Sequence, residues 1–184
     1  MDEIAYKAIS KIEDEIEQLY NEAFPEEERY PFWAIIESAE SDKVDFLGIY
    51  KNDQLVGFTY LIYYRDIVYV FYLAIKKSMR NQGLGSYVVK DLIARNPNKI
   101  VMLCIEQPDN ELKKRRRAFY LRNGMHSTGK NLDNFGYKFE FLASKEGYAP
   151  VAEEIKGIYK TMTWSEHGGP EIRKTLEVDN IKIF

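Results

Sequence analysis

The 184-residue sequence predicts an α+β fold, a mixed and mainly antiparallel sheet flanked by helices, and three observations carry that prediction. Three consecutive β-rich runs fill residues 44–75 and are separated by Asn/Asp turn residues, as in an antiparallel meander. Segments of helical period lie on both sides of that meander. No repeat, low-complexity tract or Pro/Gly/Ser-rich linker interrupts the chain, so a single domain over 1–184 is expected.

The elements follow in order. Residues 11–23 place Ile12, Ile16 and Leu19 on one helical face after Ser10, a candidate N-cap. Pro25 breaks this helix, and the acidic turn FPEEERYP leads into a shorter helical pattern at 32–40. VDFLGIY, LVGFTYLIYY and RDIVYVFYLAI form the meander. Residues 83–95 return to helical spacing through Leu84, Val88, Val89, Leu92 and Ile93, and Asn96-Pro97-Asn98 ends them. KIVMLCIE (99–106) then reads as a buried strand, and residues 111–123 as a helix stopped by Asn123-Gly124. Alternation makes 135–142 a strand and 149–160 fits a helix, whereas TMTWSEHGGPEIRK has no period, which leaves 145–184 as a C-terminal extension.

Composition narrows the function. A hydrophobic fraction of 45% suits a globular core, and 14 Tyr with 10 Phe suit both β-strands and a groove for an organic ligand. A net charge of -3 and a pI near 5.6 argue against a domain that neutralises many phosphates, so no nucleic-acid partner is expected. The start MDEIAYKAIS lacks the pattern of a signal peptide, and no apolar run reaches membrane-spanning length. A cytoplasmic protein without a membrane partner is the expectation. Cys104, the single cysteine, is expected as a small buried hydrophobe in VMLCI. His126 and His167 have no partner pattern, and no ligand spacing points to a metal.

The informative segment is the strand VYVFYLAI, followed by Arg80-Asn81-Gln82-Gly83-Leu84-Gly85 at a helix start. Glycines there let a backbone approach a ligand closely, and the unpaired N–H groups and positive dipole end of the helix suit a pyrophosphate. A tight turn alone would use the same residues. The dinucleotide fingerprint fails because Val88 stands where its third Gly belongs, and the P-loop fails because no Gly-Lys-Ser/Thr follows.

With Arg-x-x-Gly-x-Gly after a strand ending Leu-Ala-Ile, the sequence resembles the GNAT acetyltransferase superfamily. The resemblance covers about residues 44–142 and includes a second motif, Phe119-Tyr120-Leu121-Arg122-Asn123-Gly124, in the family's order. It implies acetyl-CoA as cosubstrate, its pantetheine arm on the backbone of Leu73, Ala74 and Ile75. It also implies a pyrophosphate held by Asn81, Gln82, Gly83, Leu84, Gly85 and Ser86, with Arg80 bracing the loop or reaching the ligand. The implied reaction is direct acetyl transfer to an amine in a V-shaped gap between the strands ending near Ile75 and Glu106. Lys113 and Arg116 stand where many relatives carry Asn and Ala. The run Lys113-Lys114-Arg115-Arg116-Arg117 itself admits a solvated face, a nucleic-acid patch or contacts to CoA phosphates.

Direct transfer needs a neutral amine, and a lysine-like amine is neutral in only about 1 of 2,500 molecules at pH 7, a deficit of ~4.6 kcal/mol. Glu106, ending a strand at the cleft, is the candidate base, against the alternative of an exposed loop-starting Glu. Tyr120 is the candidate acid, able to hydrogen-bond or protonate a thiolate. The family builds its acceptor pocket from the first two helices and their loop, which points to Phe24, Glu28 and Arg29 among residues 24–33. The acceptor, a small-molecule or peptide amine, is left open, as are a homodimer, a non-catalytic acyl-CoA sensor and an interaction module.

Overall fold

The computed structural model describes residues 4–134, 137–162 and 182–184. Among these, eight strands form one sheet: β1 (Ile4–Ala8), β2 (Val44–Lys51), β3 (Gln54–Tyr64), β4 (Ile67–Ile75), β5 (Ile100–Glu106), β6 (His126–Asn134), β7 (Tyr137–Ala143) and β8 (Lys182–Ile183). The helices are α1 (Asp14–Ala23), α2 (Phe32–Ser38), α3 (Leu84–Arg95), α4 (Glu111–Arg122) and α5 (Ala152–Met162). The sheet order is β1-β2-β3-β4-β5-β7-β6-β8, and every neighbouring pair is antiparallel except β4 and β5. The expected mixed, mainly antiparallel sheet flanked by helices is therefore present. None of the described helices is long and apolar enough to cross a membrane.

Each face of the sheet carries its own core. Ile16, Leu19 and Tyr20 of α1, Phe32 and Ile35 of α2, and Ile155, Ile158 and Tyr159 of α5 pack on one face with Phe46, Phe58 and Tyr60. Leu84, Val88, Val89 and Leu92 of α3 cover the other, against Val68, Val70, Val101 and Leu103. Gly157 lets α5 approach, because a Cβ there would lie 2.2 Å from the Tyr64 ring. α4 has no fully buried residue. Its half-buried Phe119, Tyr120 and Leu121 lean on the α3 core, and ion pairs supply the rest of its attachment.

The feature that positions the site lies in β4. Opposite β3, Tyr60 pairs with Tyr72 but Leu61 pairs with Val70, so Phe71 is one residue too many. Such a bulge bends its strand and resets the alternation of side chains. Tyr69, Phe71, Tyr72 and Ala74 consequently belong to one core, whereas Val68, Val70, Leu73 and Ile75 belong to the other. β4 pairs with β5 only from Ile67 to Tyr69, while β5 stays paired with β7 from Met102 through Glu106. Past Tyr69 and Met102 the two parallel strands diverge.

Several boundaries differ from the sequence reading. α1 starts at Asp14, with Glu13 rather than Ser10 before it, and Ile12 is 53% exposed. The chain stays extended after β1, where the Ile9 amide still donates to Phe46 O, and the helix begins where Asp14, Glu15 and Glu17 can meet its dipole. β1, β6 and β8 were not foreseen. β6 reads HSTGKNLDN, in which only Leu132 is a fully buried apolar residue, so it carries no alternation to detect. The segment 163–174 and His167 lie outside the described residues.

Candidate active site

Where β4 and β5 part, a cavity of about 710 Å³ opens through the sheet. Leu73, Ala74, Ile75, Lys77 and Arg80 line it from β4 and the loop that follows, Leu103 through Glu106 with Arg116 and Tyr120 from β5 and α4, and Glu22 through Pro25 with Glu28, Arg29 and Tyr30 from α1 and the loop that follows. Of the residues singled out from sequence, the gap thus brings together Phe24, Glu28, Arg29, Leu73, Ala74, Ile75, Arg80, Glu106 and Tyr120. Because β4 has left β5 here, the backbone groups of its last residues on that side face the cavity instead of a ladder partner.

Asn81 to Ser86 are not among the lining residues; Asn81 to Gly83 form the turn that follows Arg80, and Leu84 to Ser86 open α3. Asn81 and Gly83 both take positive φ, 62° and 80°, which turns the chain sharply before the helix. No side chain caps α3, so its first amides have no intrahelical acceptor and its positive end is open to an anion. The loop is held by two of its own side chains and one from α4: Arg80 Nε donates to Ile75 O at 3.0 Å, Gln82 Nε2 to Ser78 O at 3.2 Å, and Arg115 Nη2 of α4 to Asn81 Oδ1 at 3.2 Å. Arg80 thus braces the loop against the end of β4. The two glycines separate in role. A Cβ on Gly83 would meet nothing within 4 Å, so its need is the backbone angle; a Cβ on Gly85 would lie 3.2 Å from the Phe119 ring, so its need is the approach of α3 to α4. Leu84 is buried in the core and leaves only its backbone for a ligand.

α4 carries the second set of groups. Asn110 Oδ1 caps it by accepting from the Lys113 amide at 2.9 Å. Four residues of the basic run form ion pairs: Lys113 with Asp109 and Glu106 at 3.0 and 3.3 Å, Lys114 with Glu111 at 2.9 Å, Arg116 with Glu106 at 2.7 Å and Arg117 with Glu140 at 2.7 Å, while Arg115 donates to the Asn81 side chain. Glu106 therefore faces the cavity with its carboxylate shared between two cations. Glu140, nearly buried, takes two bonds from Arg117 and one from Ser127 at 2.6 Å. Burial alone would raise its carboxyl, but those donors hold it below its ordinary value. Tyr120 turns into the cavity beside Phe119, and burial pushes its phenol up to about 12 although the Arg116 charge pulls it down.

On the opposite side a tyrosine chain fixes the loop between α1 and α2. Tyr72 Oη donates to Glu28 O at 2.8 Å, and Tyr20 Oη receives the Tyr30 amide at 2.8 Å while lying 3.1 Å from Tyr72 Oη. Tyr30, Tyr69, Phe71 and Tyr159 are in ring contact and all line the cavity. Cys104 is not enclosed as a plain core residue: its half-buried thiol lines the gap and accepts from Tyr69 Oη at 3.0 Å. Burial pushes that thiol up to about 11, against the Tyr69 hydrogen bond, so it stays protonated at neutral pH. Sequence reasoning missed Cys104, Phe71, Tyr137 and Phe139 as lining residues because each sits in a strand that reads simply as sheet core. No group of His, Cys, Asp and Glu placed to hold a metal occurs among the described residues.

Comparison with known proteins adds to this geometry. The sequence profile of the acetyltransferase (GNAT) family matches residues 13–125. No curated protein sequence matches the chain. Among solved structures, a GNAT-family protein from Bacteroides thetaiotaomicron is 21% identical with a TM-score of 0.64, over 82% of this chain and 90% of its own. The Bacillus subtilis acetyltransferase in complex with CoA is 16% identical with a TM-score of 0.59, over 77% and 97%. An aminoglycoside 6'-N-acetyltransferase complexed with coenzyme A is 17% identical with a TM-score of 0.59, over 76% and 95%. At these identities the likeness is one of fold.

Proposed function

The chain belongs to the GNAT acetyltransferase family, and on that premise we propose that it transfers an acetyl group from acetyl-CoA to a primary amine by direct attack, without a covalent enzyme intermediate. The observation that carries this reading is the parting of β4 from β5 beside an uncapped helix start, with Tyr120 facing the same cavity. Acetyl-CoA supplies the activated thioester. The residues present fit it: the backbone of Leu73, Ala74 and Ile75 offers ladder-type hydrogen bonds to the amides of a pantetheine arm. The turn of Arg80, Asn81, Gln82, Gly83, Leu84, Gly85 and Ser86 offers amide donors and a dipole end to a pyrophosphate.

The chemical roles follow from placement. Tyr120 is a protonated donor at neutral pH and would steady the sulfur as negative charge develops on it. Glu106 is the carboxylate at the end of β5, and as the base it would take the amine proton directly or through a water. Its contacts with Arg116 and Lys113 set a condition, since an incoming amine must share that carboxylate with both cations. The acceptor would enter between the α1–α2 loop, with Phe24, Glu28 and Arg29, and the aromatic residues of β4 and β7.

The test is an acceptor screen with acetyl-CoA that reads thiol release, beside calorimetry of acetyl-CoA binding. Binding together with amine-dependent thiol release is expected. Tight binding without release for every amine class would replace this reading with a cofactor sensor, and no binding would remove both.

A further inference from the structure

Resting on the acetyltransferase reading, we infer that Glu140 and Arg117 are positioning residues for the transfer: their ion pair clasps α4 to the sheet and so holds the Tyr120 hydroxyl in its place at the cavity. α4 needs such a hold because it has no fully buried residue, and Tyr120 sits on its last turn. Two carboxylates reach the helix from adjacent strands, Glu106 of β5 to Arg116 and Lys113, and Glu140 of β7 to Arg117.

The two holds differ. Glu106 and Arg116 line the cavity with side chains 28% and 44% exposed, so water and substrate compete for that pair. Glu140 and Arg117 are not among the lining residues, and their side chains are 10% and 33% exposed. Arg117 also presents its fork to both carboxylate oxygens, Nε to Oε2 at 2.7 Å and Nη2 to Oε1 at 3.0 Å, a geometry that fixes direction as well as distance. The hold on α4 that persists when the cavity fills is the one at Glu140.

Register and chain connection carry this grip to Tyr120. Glu140 pairs with Ile105 and stands two residues before Leu142, both buried in the α3 core, so alternation turns it to the face that carries α3 and α4. Besides Arg117, it receives Ser127 Oγ of β6 at 2.6 Å. The chain from Arg117 to Ser127 contains Tyr120 and the turn Asn123-Gly124-Met125, in which the Asn123 and Met125 amides both donate to Tyr120 O, at 3.0 and 3.2 Å. One carboxylate thus closes both ends of the segment that bears the phenol. Arg117 and Tyr120, three residues apart, share a side of the helix, so a displaced guanidinium displaces the phenol with it.

The experiment measures kcat and calorimetric CoA affinity in Arg117→Lys, which keeps the charge and loses the fork, and in Glu140→Gln, which keeps the shape and loses the charge. Each is made with Tyr120 intact and in a Tyr120→Phe background. Misplacing a reacting group by about 1 Å costs up to ~10²-fold, so kcat should fall about five-fold or more with Tyr120 present. With Tyr120→Phe the further loss should be under about two-fold, because the hydroxyl being placed is already gone. CoA affinity should stay within about three-fold in all of them. Equal fractional losses in the two backgrounds, or an unchanged kcat in Arg117→Lys, would overturn the inference; Arg117→Lys decides alone if Glu140→Gln fails to fold. Fluorotyrosine-labelled protein supplies a readout that needs no acceptor. The fluorine resonance absent from Tyr120→Phe should shift in Arg117→Lys and stay in place in Lys114→Gln, whose pair with Glu111 lies within α4. A Tyr120 resonance unmoved in Arg117→Lys overturns the inference, whereas a shifted resonance with no amine acetylated removes the acetyltransferase reading and leaves the placement of Tyr120 by the clasp standing.

Discussion

Replacing Tyr120 by Phe removes one hydroxyl and keeps the ring that packs beside Phe119. With its phenol pushed up to about 12, Tyr120 is a far weaker acid than a departing thiol, whose value is about 8.5 if it resembles cysteine. A completed proton transfer from Tyr120 would then be uphill by ~3.5 pH units, or ~5 kcal/mol. A hydrogen bond onto the developing thiolate is the role that survives this comparison. Hydrogen bonds to charged groups contribute ~1.5–3 kcal/mol, so kcat in Tyr120→Phe should fall by about 10- to 150-fold. Acetyl-CoA affinity should stay within about three-fold, because the bond matters only once charge develops. The assay is single-turnover thiol release across pH, with calorimetry of the cofactor alongside. Since burial raises this group, its neutral form persists well above pH 10, and no loss of rate from its ionisation should appear below that. An alkaline limb near pH 8–9 in the wild type that vanishes in Tyr120→Phe would refute the argument, as would an unchanged kcat.

Three further outcomes are expected. If Glu106 is the base, Glu106→Gln should lower kcat by ~10²–10⁴ with a deficit that shrinks at high pH, where more amine is already neutral; parallel pH–rate profiles would leave Glu106 only as the anchor of Arg116 and Lys113. Gly83→Val should mainly weaken acetyl-CoA binding by straining the turn at φ 80°, whereas Gly85→Val should mainly lower kcat by displacing Phe119 beside Tyr120, and calorimetry with steady-state kinetics separates the two. The raised phenols of Tyr20, Tyr72, Tyr120 and Tyr159 stabilise the fold fully below pH 10, their unfolded value, and that contribution is lost as pH rises through the folded values. Melting temperature should therefore drop steeply above pH 10, and tyrosinate absorbance should appear together with unfolding rather than before it.

Much of this protein was legible without coordinates because the signals were local. The three runs of residues 44–75, the helix after Gly83, and the stop at Asn123-Gly124 each depend on neighbours in the chain, and Gly124 does adopt a positive φ of 93°. The Arg80–Gly85 and Phe119–Gly124 motifs likewise pointed to a cofactor turn and to Tyr120. What sequence could not supply were the partners. VYVFYLAI alternates well enough for an unbroken strand, and only its pairing with β3 makes Phe71 the extra residue that parts β4 from β5. KKRRR reads as a charged face until Glu106, Glu140 and Asn81, distant in sequence, fold against it and take up Arg116, Arg117 and Arg115. Cys104 and Phe139 look like sheet core because apolar strands leave the same pattern whether they border carbon or a cavity. Propensity and spacing belong to contiguous residues, whereas a gap, an ion pair and a lining are made by segments that meet only after folding.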